Sequence, residues 1–139
     1  MPKTPTYDVI VIGSGSAGFS AAEVARKLGA SVCVIESERL GGECPNFACV
    51  PSKALLKTAS VYRQVNRARD FGVSVGSVSY NFDLVMKYRE SVVQSITGGG
   101  TYGARYEKIF HSLGIAVKIG KAKFIDEHTI EVKGENLIG

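Results

Sequence analysis

The first part of the chain alternates between short apolar runs and one helical pattern. Residues 7–12, "YDVIVI", form a β-branched run that ends at a glycine, which is typical of a buried parallel strand. Apolar residues then recur at helical spacing through residues 16–29, and a second apolar run follows over residues 31–36. A strand, a helix and a strand in so short a stretch predict a βαβ unit with a right-handed crossover.

The middle of the chain is predicted to be helical. Pro51 suits the first turn of a helix, and an apolar stripe continues after it, whereas residues 72–80 have the composition of a loop. A further helix is predicted over residues 83–96. Glycines 98–100 break it, and the helical period then resumes up to Gly114.

The last part of the chain returns to strands. Residues 115–120 predict a third parallel strand, and residues 121–139 alternate apolar and polar positions as in a β-hairpin or meander. The predicted fold class is therefore α/β, with an incomplete Rossmann-like parallel sheet followed by a C-terminal hairpin or meander.

Composition narrows the classes of function. A chain of 139 residues with 45% hydrophobic residues is expected to form one compact unit with a real core. Its apolar runs are too short to span a bilayer and its start has no signal-peptide core, so we expect a cytoplasmic protein with no membrane contact. The net charge is +4, and the basic residues are scattered along the chain apart from one group on a predicted helix, Arg63, Arg67 and Arg69. Such a group is typical of a solvated helix face, so no nucleic-acid partner is expected.

The sequence "GSGSAG" follows the first predicted strand and opens the first predicted helix. In that context Gly13 permits a tight turn, Gly15 lets the backbone approach a pyrophosphate, and Gly18 lets the helix pack closely on the strand. The amide groups at the helix N-terminus then face the phosphates. Glu36 ends the second strand, where its carboxylate can accept hydrogen bonds from an adenosine ribose.

The segment "GGECPNFACVPSK", residues 41–53, raises three alternatives for Cys44 and Cys49: a structural staple, a metal site or a redox pair. A structural disulfide is disfavoured because the cytoplasm is reducing and the chain has an odd count of three cysteines. Metal binding is disfavoured because the other candidate ligands show no recognisable spacing; these are Cys33, His111 and His128.

The redox alternative has local support. Cys49 is predicted to lie just before the helix that begins at Pro51, so the helix dipole favours its thiolate, and Lys53 adds a positive charge one turn on. A disulfide between Cys44 and Cys49 would close a short ring, add little stability and be readily reduced. We therefore expect a redox pair; a cofactor-binding module with structural cysteines stays open as the alternative.

These residues resemble the FAD-dependent pyridine nucleotide-disulfide oxidoreductases, a family that includes dihydrolipoamide dehydrogenase, glutathione reductase and mercuric reductase. The resemblance rests on "GSGSAG", on Glu36, on "LGGECPNFACVPSKALL" and on "GKAKFIDEHTIEV", and so covers nearly the whole chain. It implies that Cys44 is the interchange thiol that attacks a disulfide-type substrate. It implies that Cys49 is the charge-transfer thiol against the flavin ring, with Lys53 near the flavin's reactive edge.

The resemblance also implies an FAD site. Ser16 and Ala17 resemble pyrophosphate contacts, and Glu36 resembles the ribose ligand. The other cofactor-binding residues implied are Gly13, Gly15, Gly18, Gly42, Glu43 and Ala122, the last through its backbone to adenine. Glu43 departs from the small hydroxyl residue of many members.

Family members are several times longer than this chain. The resemblance therefore implies that residues 1–139 are a partial FAD-binding domain, and that separate NAD(P)-binding and dimer-interface domains are absent from this chain. A full-length homodimer would pass electrons from NAD(P)H through FAD to the cysteine pair and on to a disulfide-type or metal-ion acceptor. The fragment alone is expected to be inactive.

Overall fold

The computed structural model describes residues 4–139 and has an α/β architecture. Its helices are α1 (Ser16–Lys27), α2 (Glu43–Asn46), α3 (Cys49–Asn66), α4 (Phe82–Thr97) and α5 (Ala104–Ser112). Its strands are β1 (Val9–Ile12), β2 (Val32–Glu36), β3 (Ala116–Ile119), β4 (Ala122–Phe124), β5 (Thr129–Val132) and β6 (Glu135–Ile138).

The first three strands form the predicted parallel sheet, in the order β1-β2-β3. Val9 pairs with Val32 and Cys33 pairs with Ala116, so β2 is central and β1 lies at an edge. All five residues of β2 are buried, which explains why its sequence is apolar up to the final glutamate. The carboxyl ends of the three strands share one edge of the sheet, where ligands bind in open α/β folds.

The parallel sheet has a different cover on each face. On one face α1 and α5 pack around the fully buried Phe110, and this cluster consists of Ala22, Val32, Val34, Leu40, Phe110 and Ile115. On the other face the C-terminal strands supply the cover, in a cluster that consists of Cys33, Ile35, Ile130, Val132 and Leu137. The sheet therefore has a core on both sides, as an α/β fold requires.

The C-terminal segment is a meander rather than a single hairpin. Strands β4, β5 and β6 form an antiparallel sheet in sequence order. It is tied to the rest of the molecule by Tyr7, whose N–H donates to the Ile138 carbonyl at 2.9 Å. An ion pair of 2.7 Å between Lys118 and Glu135 joins the two sheets.

Helices α3 and α4 pack against each other and present large apolar side chains to solvent; these include Leu56, Val61, Tyr62, Phe82, Leu84 and Tyr88. Residues 72–80 form the predicted loop, which is preceded by an unpredicted 3₁₀ turn over Ala68–Phe71.

Among the helices of residues 4–139, none combines the length and apolar character needed to cross a membrane.

One predicted helix boundary is wrong. Helix α3 begins at Cys49, two residues earlier than the Pro51 boundary, so Cys49 lies inside the first turn rather than before it. Proline is tolerated there because the first N–H groups of a helix have no intrahelical partner. Cys44 lies in a separate helical turn, α2, which the sequence did not indicate.

Candidate functional site

The glycine turn after β1 has the geometry expected from the sequence. Gly13 has a φ of +93°, in the left-handed region that favours glycine. A Cβ at Gly18 would lie 1.9 Å from the Gly13 carbonyl oxygen and 3.2 Å from a Val11 methyl carbon, so α1 approaches β1 this closely only with glycine there. Gly15 is the N-cap of α1 and no side chain caps that end, which leaves the first helical N–H groups open.

Glu36 is fixed at the carboxyl end of β2. Its side chain is 8% exposed, and its Oε2 accepts hydrogen bonds from the Ser14 N–H at 3.0 Å and the Ser14 hydroxyl at 2.5 Å. Its Oε1 accepts from the Glu38 N–H at 3.0 Å. Burial by itself raises the pKa of Glu36, but these hydrogen bonds outweigh it and hold the pKa below its ordinary value. Glu36 is therefore ionised at neutral pH.

A cleft of about 330 Å³ opens between the two sheets at this edge, and it brings together Gly13, Glu36 and Ala122. Glu36 also lines a neighbouring cleft of about 220 Å³, together with Gly42 and Glu43. Residues that lie far apart in the sequence thus meet around one carboxylate.

The cysteine loop packs directly on the glycine turn. A Cβ at Gly42 would lie 2.7 Å from the Gly15 Cα, and Gly42 has a φ of +71°, so both the contact and the conformation require glycine. The Gly41 N–H donates to the Ser14 hydroxyl at 3.0 Å. Ser16 and Cys44 line a third cleft of about 390 Å³ beside this contact.

Cys44 and Cys49 are both free and exposed thiols. The pKa of Cys44 is raised, first by its hydrogen bond with the Cys49 thiol and then by desolvation, whereas the charge of Lys53 lowers it. These influences indicate that the Cys49 thiol and the Lys53 ammonium group are near the Cys44 thiol.

Cys33 has a different environment. It is fully buried in β2 beside Tyr7, and burial raises the pKa of its thiol to about 11. Such a thiol is almost entirely protonated at neutral pH and is inert. The sequence prediction that Cys33 is a core residue is confirmed. Within the described part of the chain, no three His, Cys, Asp or Glu side chains are grouped to hold a metal ion.

The predicted site residues do not all meet in these clefts. Ala17, on the first turn of α1, and Lys53 and Cys49, on α3, are exposed and are not among the residues that line the three clefts. Sequence analysis missed two buried polar residues of the site, Ser14 and Asn46. Ser14 lies between two glycines of one motif and Asn46 lies between the two cysteines of the other, and these positions were the available sequence signal.

Comparison with known proteins identifies relatives that align with most of this chain. The chain is 37% identical to a dihydrolipoyl dehydrogenase of Mycoplasma pneumoniae over 130 residues, which cover 93% of this chain and 27% of the relative. It is 42% identical to one of Bacillus subtilis over 103 residues, which cover 74% of this chain and 22% of the relative. A relative from Acholeplasma laidlawii is 33% identical over 132 residues, with 94% and 38% covered.

The chain thus spans between 22% and 38% of the length of these curated relatives. A family model described as pyridine nucleotide-disulphide oxidoreductase matches residues 7–138, which include every helix and strand from β1 to β6. The chain therefore belongs to the pyridine nucleotide-disulphide oxidoreductase family.

Proposed function

We propose that this chain contributes the adenosine and diphosphate part of an FAD site, together with the redox-active cysteine pair, to a flavin-dependent disulfide oxidoreductase. In the whole protein, electrons pass from NAD(P)H through FAD to the Cys44–Cys49 disulfide and on to a disulfide-type or metal-ion acceptor. The whole protein is proposed to be a cytoplasmic homodimer. Residues 1–139 are a partial FAD-binding domain, and the NAD(P)-binding and interface domains belong to other parts of that protein.

The residues present fit FAD. The open N–H groups at the start of α1 suit the diphosphate, and the absence of a Cβ at Gly13 and Gly15 leaves the backbone free to approach it. The ionised carboxylate of Glu36 suits the ribose hydroxyl groups, which are hydrogen-bond donors. Ala122 lines the same cleft as Glu36, where its backbone suits the adenine ring.

Ser16, Ala17, Gly18, Gly42 and Glu43 complete the proposed cofactor site. Ser16 and Ala17 lie in the first turn of α1, and Gly42 places the cysteine loop against the glycine turn. Glu43 lies in the smaller cleft with Glu36 and follows Gly42, which packs on Gly15, so we expect it to bring negative charge near the proposed diphosphate position. That charge opposes diphosphate binding, which distinguishes this site from one with a small hydroxyl residue.

In the proposed mechanism the two cysteines have different roles. When bound, FAD supplies two-electron transfer between a reduced nicotinamide and the disulfide. Cys49, in the first turn of α3 and one turn from Lys53, is the thiolate that faces the flavin, and Lys53 supports its charge. Cys44 attacks the substrate disulfide, and Cys49 then displaces the substrate thiol from Cys44, which closes the protein disulfide and releases two reduced thiols.

The single observation that carries this proposal is the contact between Gly42 and Gly15. In this contact the cysteine loop packs on the glycine turn whose partner carboxylate is Glu36, which supports a proposed nucleotide site next to the proposed redox pair. The alternative is a cofactor-binding module without redox turnover, in which the cysteines are structural. Two free, exposed thiols near each other favour the redox function over that alternative.

The first test concerns the nucleotide site. We expect the isolated chain to bind FAD weakly, with a dissociation constant on the order of millimolar, because the relatives are much longer and this chain supplies only part of their sequence. Amide NMR shifts during an FAD titration are expected at residues 13–18, Glu36 and Ala122. Glu36→Gln should weaken binding about tenfold, since hydrogen bonds to a charged group are lost.

Glu90→Gln, on α4 and remote from the clefts, serves as the matched control and should leave the titration unchanged. Shifts confined to residues outside these segments would contradict the proposed site. Purification of the chain as a yellow, stoichiometric flavoprotein that oxidises NADH would contradict the expected weak binding.

A second test separates a redox pair from structural cysteines. Mild oxidation of the reduced, folded chain is expected to lower its count of reactive thiols from three to one, measured after denaturation, with Cys33 the thiol that survives. Peptide mapping should find a Cys44–Cys49 disulfide that a dithiol reductant reopens. Structural cysteines would instead resist both oxidation and reduction of the folded protein.

A further inference from the structure

We propose that Asn46 is a positioning residue for the redox pair: its side-chain amide holds the loop that keeps the Cys44 and Cys49 sulfurs together. This inference rests on the proposed redox function of the two cysteines. Asn46 lies between them in the sequence, at the end of α2, and is only 3% exposed.

The amide of Asn46 links two parts of the cysteine loop. Its Nδ2 donates to the Gly42 carbonyl at 2.8 Å and to the Leu40 carbonyl at 3.1 Å. These carbonyls precede Cys44, so the amide joins the chain before the first cysteine to the segment between the two cysteines. The residue is thereby a buried, non-covalent crosslink across the base of the loop.

The orientation of this amide is determined by its partners. Rotation by 180° would turn Oδ1 toward two carbonyl oxygens, which have no hydrogen to donate. With the orientation as found, Oδ1 is buried and has no hydrogen-bond donor within residues 4–139. A buried acceptor without a partner is costly. The amide of Asn46 therefore donates two hydrogen bonds while its own oxygen stays unpaired among the described residues. A side chain whose only role was to fill space would carry this cost without a benefit.

The loop needs such a crosslink because α2 is too short to be stable alone. It has four residues, and helices of one turn are not self-sustaining. After it, the backbone leaves helical geometry at Phe47 and Ala48 before α3 starts. The Gly42–Asn46 bond fixes α2 to the residue that packs on Gly15, so the position of Cys44 is set relative to the glycine turn.

The expected chemical consequence concerns the thiol-disulfide equilibrium. Oxidation of the pair by glutathione disulfide gives the Cys44–Cys49 disulfide and two molecules of reduced glutathione, so atoms and electrons balance. A dithiol whose loop is already held in place by hydrogen bonds closes this ring more readily than one whose loop is free. Loss of the Asn46 amide should therefore make the protein disulfide less favourable, and the pair more oxidising.

The test is the equilibrium constant of that exchange, measured on the whole chain by quantifying thiols in glutathione redox buffers. Asn46→Ala removes the crosslink, and Asn46→Leu removes it while keeping most of the side-chain volume. Asn66→Ala is the matched control, because the Asn66 Nδ2 also donates at 2.8 Å to the carbonyl four residues earlier, at an exposed site remote from the cysteines. Thermal unfolding of each reduced variant is measured in parallel.

We expect both Asn46 variants to shift the equilibrium toward the dithiol by about tenfold, the size expected for one or two lost hydrogen bonds, with Asn66→Ala unchanged. Unchanged constants in folded Asn46 variants would overturn the inference. Failure of both variants to fold, when Asn66→Ala folds, would also overturn it, since the amide would then be a general stability determinant. If the wild-type chain forms no Cys44–Cys49 disulfide, the proposed function itself fails.

Discussion

Replacement of Gly18 by alanine is expected to lower the free energy of unfolding by about 3 kcal/mol or more, a large fraction of the stability of a small domain. The reason is steric: the new methyl group would lie 1.9 Å from the Gly13 carbonyl oxygen, a backbone atom that has no rotamer in which to escape. Helix α1 must therefore move away from β1, which also opens the core around Phe110. Urea unfolding followed by circular dichroism measures the loss.

Gly76→Ala is the matched control for this substitution. A Cβ at Gly76 meets nothing within 4 Å, and the residue lies in the loop before α4 without a left-handed conformation. Its unfolding free energy should stay within about 0.5 kcal/mol of wild type. Equal stabilities for the two variants would show that α1 does not pack on β1 as closely as the structure has it.

Cys49→Ser is expected to convert a transient mixed disulfide into a stable one. In the wild-type chain, Cys44 attacks glutathione disulfide, and Cys49 then displaces the bound glutathione, so little adduct accumulates. Without Cys49 the only other thiol of the chain is the buried Cys33, so the adduct should approach one glutathione per chain. Intact mass followed by peptide mapping measures both the amount and its position at Cys44.

Cys44→Ser and Cys33→Ser provide the comparison. Cys44→Ser should form much less adduct, because in the proposed mechanism Cys44 is the sulfur that meets the substrate. Cys33→Ser should behave as the wild type, because Cys33 is buried and its pKa is about 11. An adduct on Cys49 in preference to Cys44 would reverse the proposed roles of the two thiols.

The sequence was sufficient for the elements whose pattern is local. The run "VCVI" is apolar because β2 is buried on both faces. Gly13 and Gly18 are required by the local backbone, since Gly13 has a positive φ and a Cβ at Gly18 would meet the Gly13 carbonyl. The parallel pairing of the first three strands and the break after α4 were predicted correctly, because buried apolar runs and glycine conformations follow general rules.

The sequence was insufficient where an effect depends on contacts between distant segments. Nothing in "GSGSAG" shows that Ser14 would bond Glu36 and the Gly41 N–H, since those partners belong to other segments. The early start of α3 also escaped prediction, because a proline in the third helical position has no more local cost than one in the first. The roles of the individual site residues remain predictions for the experiments above.

The backbone hydrogen bonds of Leu40 have a consequence for the order of folding. Its N–H donates to the Tyr102 carbonyl at 2.9 Å, and its carbonyl accepts from Asn46, so the cysteine loop is anchored to the link between α4 and α5. Closing a contact over so long a stretch of chain is slow compared with forming local helices. We therefore expect the native contacts of the cysteine loop to form late during refolding. An oxidant present before that stage should produce non-native disulfides that include Cys33.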